Sequence, residues 1–328
     1  MRTLSSRIGD WQLPRLHMWK ERQLELRAEP RPLVGPSTSV ATIGSCFASE
    51  LAKAMDRLGL RGAMHPAGLF YTSRSIRQEL AHVFGESSAQ RDEALWTTEA
   101  GLVHPFKDYS KAFASEAELR AWSDALDEQA RALFGEPEVI VVTLGLIEAW
   151  LHPERGVAYR QIPHPGVYEQ LGAELHRLSV ADIRADLEDI WAMIQRHTRA
   201  KLILTVSPIP LYATFTGLDV RVANSESKTR IRAAVSEFID AHPEVAYFHS
   251  YEIVTSAEKM SDFMLADGRH VSRHGVDYIL KHFVETFGDG LPVPELDDSW
   301  LTRPQKTAAT SQRTLAQRMR DAMREFRA

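Results

Sequence analysis

Ser45, in the string Gly44-Ser45-Cys46-Phe47-Ala48, is the residue of this sequence best placed to do chemistry. An apolar run rich in β-branched residues, Val40-Ala41-Thr42-Ile43, leads into it. After it Ala48, Leu51, Ala52, Met55 and Leu58 recur at helical spacing. Strand, tight turn and helix would put the hydroxyl at the carboxyl edge of a sheet. The backbone N–H would lie at a helix N-terminus, where negative charge is favoured. A nucleophilic serine requires this, and it also requires a base. Among 13 histidines the context favours His270, because Asp267 precedes it by three residues in a turn-forming stretch. A carboxylate that close can orient an imidazole and stabilise its protonated form.

Other residues compete for the chemistry. Cys46 would be the stronger nucleophile. Alternation at a strand end, however, turns it toward the packing if Ser45 faces the cleft. His270 and His274 have the spacing of a helical zinc pair but lack its internal glutamate, so no metal is expected. Glu148 and Trp150 follow a strand end and are pocket candidates, with His65 as a third. His65, His104 and His164 all lie in proline-containing loops, where a partly exposed polar residue is the simpler reading.

The elements that must position these groups alternate between strand and helix. Val40–Ile43, Glu138–Gly145, Lys201–Pro208 and Val245–Phe248 read as buried strands. Helical patterns cover 73–84, 115–134, 179–197, 224–240 and 276–287, with Ser73, Ser115 and Ser179 as caps. The stretches 63–71 and 92–109 read as irregular. Four apolar strands separated by helices predict an α/β fold, a parallel sheet with helices on both faces. Residues 1–38 form an N-terminal arm with a short helix near Trp19. Residues 39–290 form one catalytic domain, in which 151–178 is a Pro-, His- and Gly-rich lid insertion. Residues 291–328 form a linker and a basic amphipathic tail, whose Leu315–Phe326 stripe suits a second copy of the chain.

The composition narrows the class. The 328 residues are 44% hydrophobic and 25% charged, as in a globular protein. A net charge of −5 offers no electrostatic footing for nucleic acid, although the tail from Arg303 is basic. The single cysteine excludes an intrachain disulfide and fits a reducing compartment. No apolar run reaches the ~20 residues of a membrane helix, and no secretory leader is apparent. A cytoplasmic protein is expected.

The pentapeptide Gly44–Ala48 resembles the signature of the GSCFA domain family, relatives of the SGNH (GDSL-like) hydrolases. Pro66-Ala67-Gly68-Leu69-Phe70-Tyr71, Thr143-Leu144-Gly145 with Glu148 and Trp150, and Val206-Ser207-Pro208 are similar to the same family. So are Asn224 with Ser227-Lys228, Tyr247-Phe248 with Ser250-Tyr251-Glu252, and Asp267 with His270. The resemblance spans roughly 35–290. It implies a three-layer flavodoxin-like fold with Ser45 as nucleophile, His270 as base and Asp267 as its orienting partner. It also implies an oxyanion hole built from the N–H groups of Ser45 and Gly68. The asparagine expected two residues after the third-block glycine is replaced by Ile147, leaving Asn224 and Gln161 as candidates for the third donor. Where many members carry Asn-Cys-His-Lys, this chain reads Val157–Pro163. The function implied is a serine esterase or O-acyltransferase acting on a small-molecule or saccharide acyl ester, without a cofactor. The alternatives are a non-catalytic carbohydrate- or ligand-binding protein on the same fold, and an acetyltransferase with acetyl-coenzyme A as acyl donor.

Overall fold

Along the first strand, Ala41 and Ile43 pack into one hydrophobic cluster while Val40 packs into another. That period of two is what a strand buried on both faces produces. The computed structural model describes residues 29–57, 59–87, 95–107, 111–154, 156–160, 173–255, 263–265, 268 and 270–295. The expected helix near Trp19, the middle of the 151–178 insertion, Gln161, His164, Asp267 and the basic tail lie outside the described residues.

The parallel strands are β1 (Ser39–Gly44), β2 (Arg61–Met64), β5 (Val139–Leu144), β8 (Lys201–Val206) and β9 (Ala246–Phe248). They pair in the order β2-β1-β5-β8-β9, all parallel. Two antiparallel pairs stand apart: β3 (Trp96–Thr98) with β4 (Gly101–Val103), and β6 (Glu148–Leu151) with β7 (Glu174–Arg177). The helices are α1 (Cys46–Arg57), α2 (Ser73–Val83), α3 (Glu116–Gly135), α4 (Val180–His197), α5 (Val220–Ala241), α6 (Ser250–Thr255) and α7 (Arg273–Phe287).

One face of the sheet is covered by α2, α3, α4 and α5, through residues such as Leu80, Phe134, Leu187 and Phe238. The other is covered by α1, α6 and α7, through Leu51, Val254 and Phe283. This is the expected three-layer, flavodoxin-like α/β architecture, with strands in the order 2-1-3-4-5. The chain passes from β1 to β2 across one face, through α1, and from β2 to β5 across the other, through α2 and α3. Between β1 and β5 the sheet therefore has its topological switch point, where such folds open a crevice.

Several boundaries differ from the sequence reading. The fifth strand, β2, falls partly in a stretch read as loop, because its edge position leaves Arg61 and Ala63 exposed. The hairpin β3–β4 falls in the stretch expected to be irregular and β7 in the expected lid, while β6 covers Glu148 and Trp150, expected just past a strand end; strands of three or four residues carry little periodicity. Helix α2 is capped by Thr72, whose side chain accepts from the Ser75 N–H, so Ser73 is its first residue instead of its cap. Asp219 and Ser272 cap α5 and α7 earlier than expected. The last residues of the expected arm run beside α7. There the Leu33 and Val34 N–H groups donate to the Phe287 carbonyl.

Candidate functional site

Gly44 ends β1 with φ +141°, and a Cβ there would meet the Thr143 carbonyl oxygen at 2.1 Å. Only glycine fits so close an approach of β1 to β5. The chain turns there, and Ser45 emerges at the switch point immediately before α1. Its Oγ is buried and has no hydrogen-bond partner among the described residues, which is unusual for a hydroxyl in a folded protein. Ser45 lines a cavity of about 460 Å³ together with Cys46, Tyr71, Gly145, Ser207 and residues of the 207–219 loop.

Cys46 departs from the expected facing. It is half-buried, lines the same cavity, and its Sγ lies 3.8 Å from the Tyr71 hydroxyl. Strand alternation does not extend to it because Cys46 is the first residue of α1. Serine and thiol therefore open on one cavity.

Glu148 and Trp150 also line the cavity, both from β6. Glu148 Oε1 accepts from the Thr214 hydroxyl at 2.6 Å and Oε2 accepts from the Phe215 N–H at 2.9 Å. The carboxylate thus ties the 207–219 loop to the body. Trp150 meets Phe215 edge-on, with ring centroids 5.3 Å apart. Tyr159 and Arg160 complete that wall, and the Arg160 guanidinium lies over the Phe70 ring at 5.3 Å.

The expected oxyanion donors are engaged elsewhere. The Ser45 N–H donates to the Thr143 carbonyl at 3.1 Å, and the Gly68 N–H donates to the His65 carbonyl at 2.9 Å. Asn224 Oδ1 accepts from the Leu211 N–H at 3.1 Å and so braces the cavity loop from α5. Neither Gly68 nor Asn224 is among the cavity-lining residues. The opening of α1 still lies at the cavity, and the first-turn N–H groups of a helix have no intrahelical acceptor.

His270 is exposed and is not among the cavity-lining residues. It closes a turn in which the Leu265 N–H donates to its carbonyl at 2.7 Å, next to the Met264–Val271 bridge. Asp267, its expected partner, is outside the described residues.

His65 is buried and does not reach the cavity, because it is held by charges behind the loop. The Ala67 N–H donates to its Nδ1 at 3.2 Å, and its Nε2 lies 3.1 Å from Glu79 Oε1. Glu79 in turn lies 3.5 Å from Lys107 Nζ, and Lys107 donates to Asp127 at 2.5 Å. Asp127 meets His82 Nε2 at 2.8 Å, and His104 lies alongside. Burial opposes ionisation of Glu79, but the charge of Lys107 and the neighbouring His65 outweigh it and lower its pKa. Asp127 follows the same balance: burial is outweighed by the His82 hydrogen bond and by Lys107, to about 2. Burial, then the Lys107 charge, lowers His104 to about 4. The readings of His65 and His104 as partly exposed are therefore corrected, since both are buried among these partners. The cluster anchors the loop that carries Phe70 and Tyr71 to the site. The Phe70 N–H donates to the Gly44 carbonyl, and the Tyr71 carbonyl accepts from the N–H groups of Gly145 and Leu146.

Sequence reasoning quoted Lys228 with Asn224 as a family-like stretch but gave it no role; it lies on α5 and is buried. Its Nζ donates to the Gly145 carbonyl at 2.8 Å. The signal available was its one-turn offset from Asn224 on the same helix.

A doubly wound α/β protein with a buried serine at its switch point is the class these observations define. The GSCFA family model matches residues 39–283, most of the chain, and the chain belongs to the GSCFA family. Among solved structures it is similar to a lipase/acylhydrolase from Enterococcus faecalis. The identity is 14%, with a TM-score of 0.36, over 79% of this chain and 99% of that one. It is also similar to a carbohydrate esterase family 2 enzyme with its carbohydrate-binding domain, from Corynascus thermopiles (Myceliophthora fergusii). There the identity is 13% and the TM-score 0.28, over 68% of this chain and 58% of that one. No curated protein sequence matches the chain. No helix among the described residues is long and apolar enough to cross a membrane.

Proposed function

We propose that the chain is a serine-dependent acyl-ester hydrolase or O-acyltransferase that uses Ser45 with His270 and Asp267. The observation that carries the reading is the Ser45 hydroxyl, buried, without a partner among the described residues, and lining a cavity at the sheet's switch point. In the proposed reaction Ser45 Oγ attacks the ester carbonyl carbon while His270 takes its proton. The C–O bond to the leaving alcohol then breaks, and that alkoxide receives the proton. The acyl-enzyme passes its acyl group to water, or to a bound hydroxyl where water is excluded. An acylated saccharide suits the cavity because Trp150, Tyr159 and Phe215 offer ring faces for its C–H surfaces, and Arg160 offers hydrogen-bond donors. A cytoplasmic location suits the single thiol beside the site.

The test is hydrolysis of an aryl acetate by wild type, Ser45→Ala and His270→Ala. The proposal predicts that each variant loses on the order of 10⁴-fold in kcat. Full activity in Ser45→Ala would end the serine reading, and full activity in His270→Ala would require another base.

The engaged Ser45 and Gly68 N–H groups favour a second reading, a non-catalytic saccharide- or ligand-binding protein. It predicts saccharide binding that is unchanged in Ser45→Ala and no turnover by any variant. An acetyl-coenzyme A donor remains the transferase form of the first reading, and thioester cleavage dependent on Ser45 would show it.

A further inference from the structure

Lys228 is only 1% exposed, and no carboxylate pairs with it among the described residues. Its Nζ donates to the carbonyl of Gly145, the cavity-floor residue whose backbone abuts Ser45. A buried ammonium without a counter-ion is disfavoured, and burial lowers this amine to about 7. The titratable group that acts on it from the elements packed around it is the Cys46 thiol on α1, which raises it. On its own helix, the neighbouring Glu226 is taken up by Arg177 and Arg230. The hydroxyls of Ser45 and Ser227, both buried, have no hydrogen-bond partner among the described residues. Through Gly145 the Lys228 amine thus stands behind the part of the cavity lined by Ser45 and Cys46, and the one carboxylate lining that cavity among the described residues, Glu148, is held by Thr214 and Phe215.

We infer that Lys228 is a positioning residue of the Ser45 site, which clamps the Gly145 peptide against the nucleophile turn and supplies positive charge for an anion formed at Ser45 or Cys46. Among the described residues the amine has no carboxylate partner to hold its proton. When negative charge develops on the turn, Lys228 takes up one proton from solvent, and the resulting ammonium balances that charge. The first-turn N–H groups of α1 act on the same anion from the other side. The catalytic arm of this inference rests on the proposed serine chemistry; the electrostatic arm at Cys46 does not.

Two variants separate clamp from charge. Lys228→Gln keeps a donor for the Gly145 carbonyl and removes the charge, whereas Lys228→Met removes both. Cys46 is the chain's single cysteine, so iodoacetamide alkylation of the folded protein, followed by mass across pH 6–9, reports on this position alone. Alkylation at pH 7.5 is expected to slow on the order of ten-fold in both variants. In aryl acetate hydrolysis, kcat is expected to fall in both with KM little changed. The decline of wild-type kcat/KM above about pH 7 should be absent from both. Identical alkylation profiles in wild type and Lys228→Gln would overturn the charge role. Slowing in Lys228→Met alone would do the same and leave only a clamp. Slower alkylation of both variants than of a wild type that itself lacks esterase activity would defeat the serine chemistry and uphold Lys228.

Discussion

Ser45 and Gly145 approach so closely that a Cβ built on Gly145 would lie 3.0 Å from the Cβ of Ser45. The same Cβ would lie 3.1 Å from the Tyr71 carbonyl oxygen, which cannot move freely because it accepts two N–H groups. Gly145→Ala should therefore displace the serine. The expected result is a loss of about 1–3 kcal/mol in stability and of about 10²-fold in kcat. Thermal unfolding and aryl ester kinetics check both. Gly44→Ala, with its 2.1 Å conflict and positive φ, should lower Tm further.

Glu148 is expected to matter through the loop it holds. Glu148→Ala leaves the Phe215 N–H and the Thr214 hydroxyl without their acceptor. The cost should be about 1–3 kcal/mol, with KM rising more than kcat falls because the cavity wall loosens. Urea unfolding with steady-state kinetics measures both. A variant with unaltered KM would mean that the loop does not shape the substrate site.

The buried cluster behind the His65 loop predicts acid sensitivity in two stages. His104 is depressed to about 4, so the unfolded chain binds its proton first, near the ordinary histidine value of about 6.5. Stability should fall as pH drops from about 6.5 to about 4. Asp127, lowered to about 2, contributes stability above its ordinary value that is lost as pH falls toward 2. His104→Asn should flatten the first stage and leave the second. Chemical unfolding at a series of pH values separates them.

Lys107 stands between Glu79 and Asp127. Lys107→Met leaves two buried carboxylates, Glu79 beside His65 and Asp127 beside His82 with Arg131 at 4.0 Å. Its removal should cost about 3–5 kcal/mol, as breaking a buried ion pair does. The Lys107→Met/Glu79→Gln double variant should recover part of this loss. Equal stability of both variants would show that the two side chains act independently.

Much of this fold was legible because β1, β5 and β8 are continuous apolar runs and the long helices carry clear stripes. The edge strand β2 was not, since Arg61-Gly62-Ala63-Met64 alternates too weakly and contains glycine. The place of Ser45 in a cavity at the sheet's carboxyl edge was legible because it depends on a local strand, turn and helix. His65, Glu79, Lys107 and Asp127 were not, because each charge is buried by partners far along the chain and none looks apolar in sequence. Lys228 stood out only as part of a family-like stretch, and its burial was hidden the same way, beside Glu226 and Arg230 on the same helix. Cys46 was misassigned because a strand rule was carried one residue too far, into the helix.

The central claim is that Ser45 is the nucleophile, and the most direct measurement is the site of covalent labelling by a fluorophosphonate. Wild type should gain one adduct, located by peptide mass spectrometry on Ser45, and Ser45→Ala should gain none. An adduct of equal yield in Ser45→Ala, whether on Cys46 or elsewhere, would contradict the account.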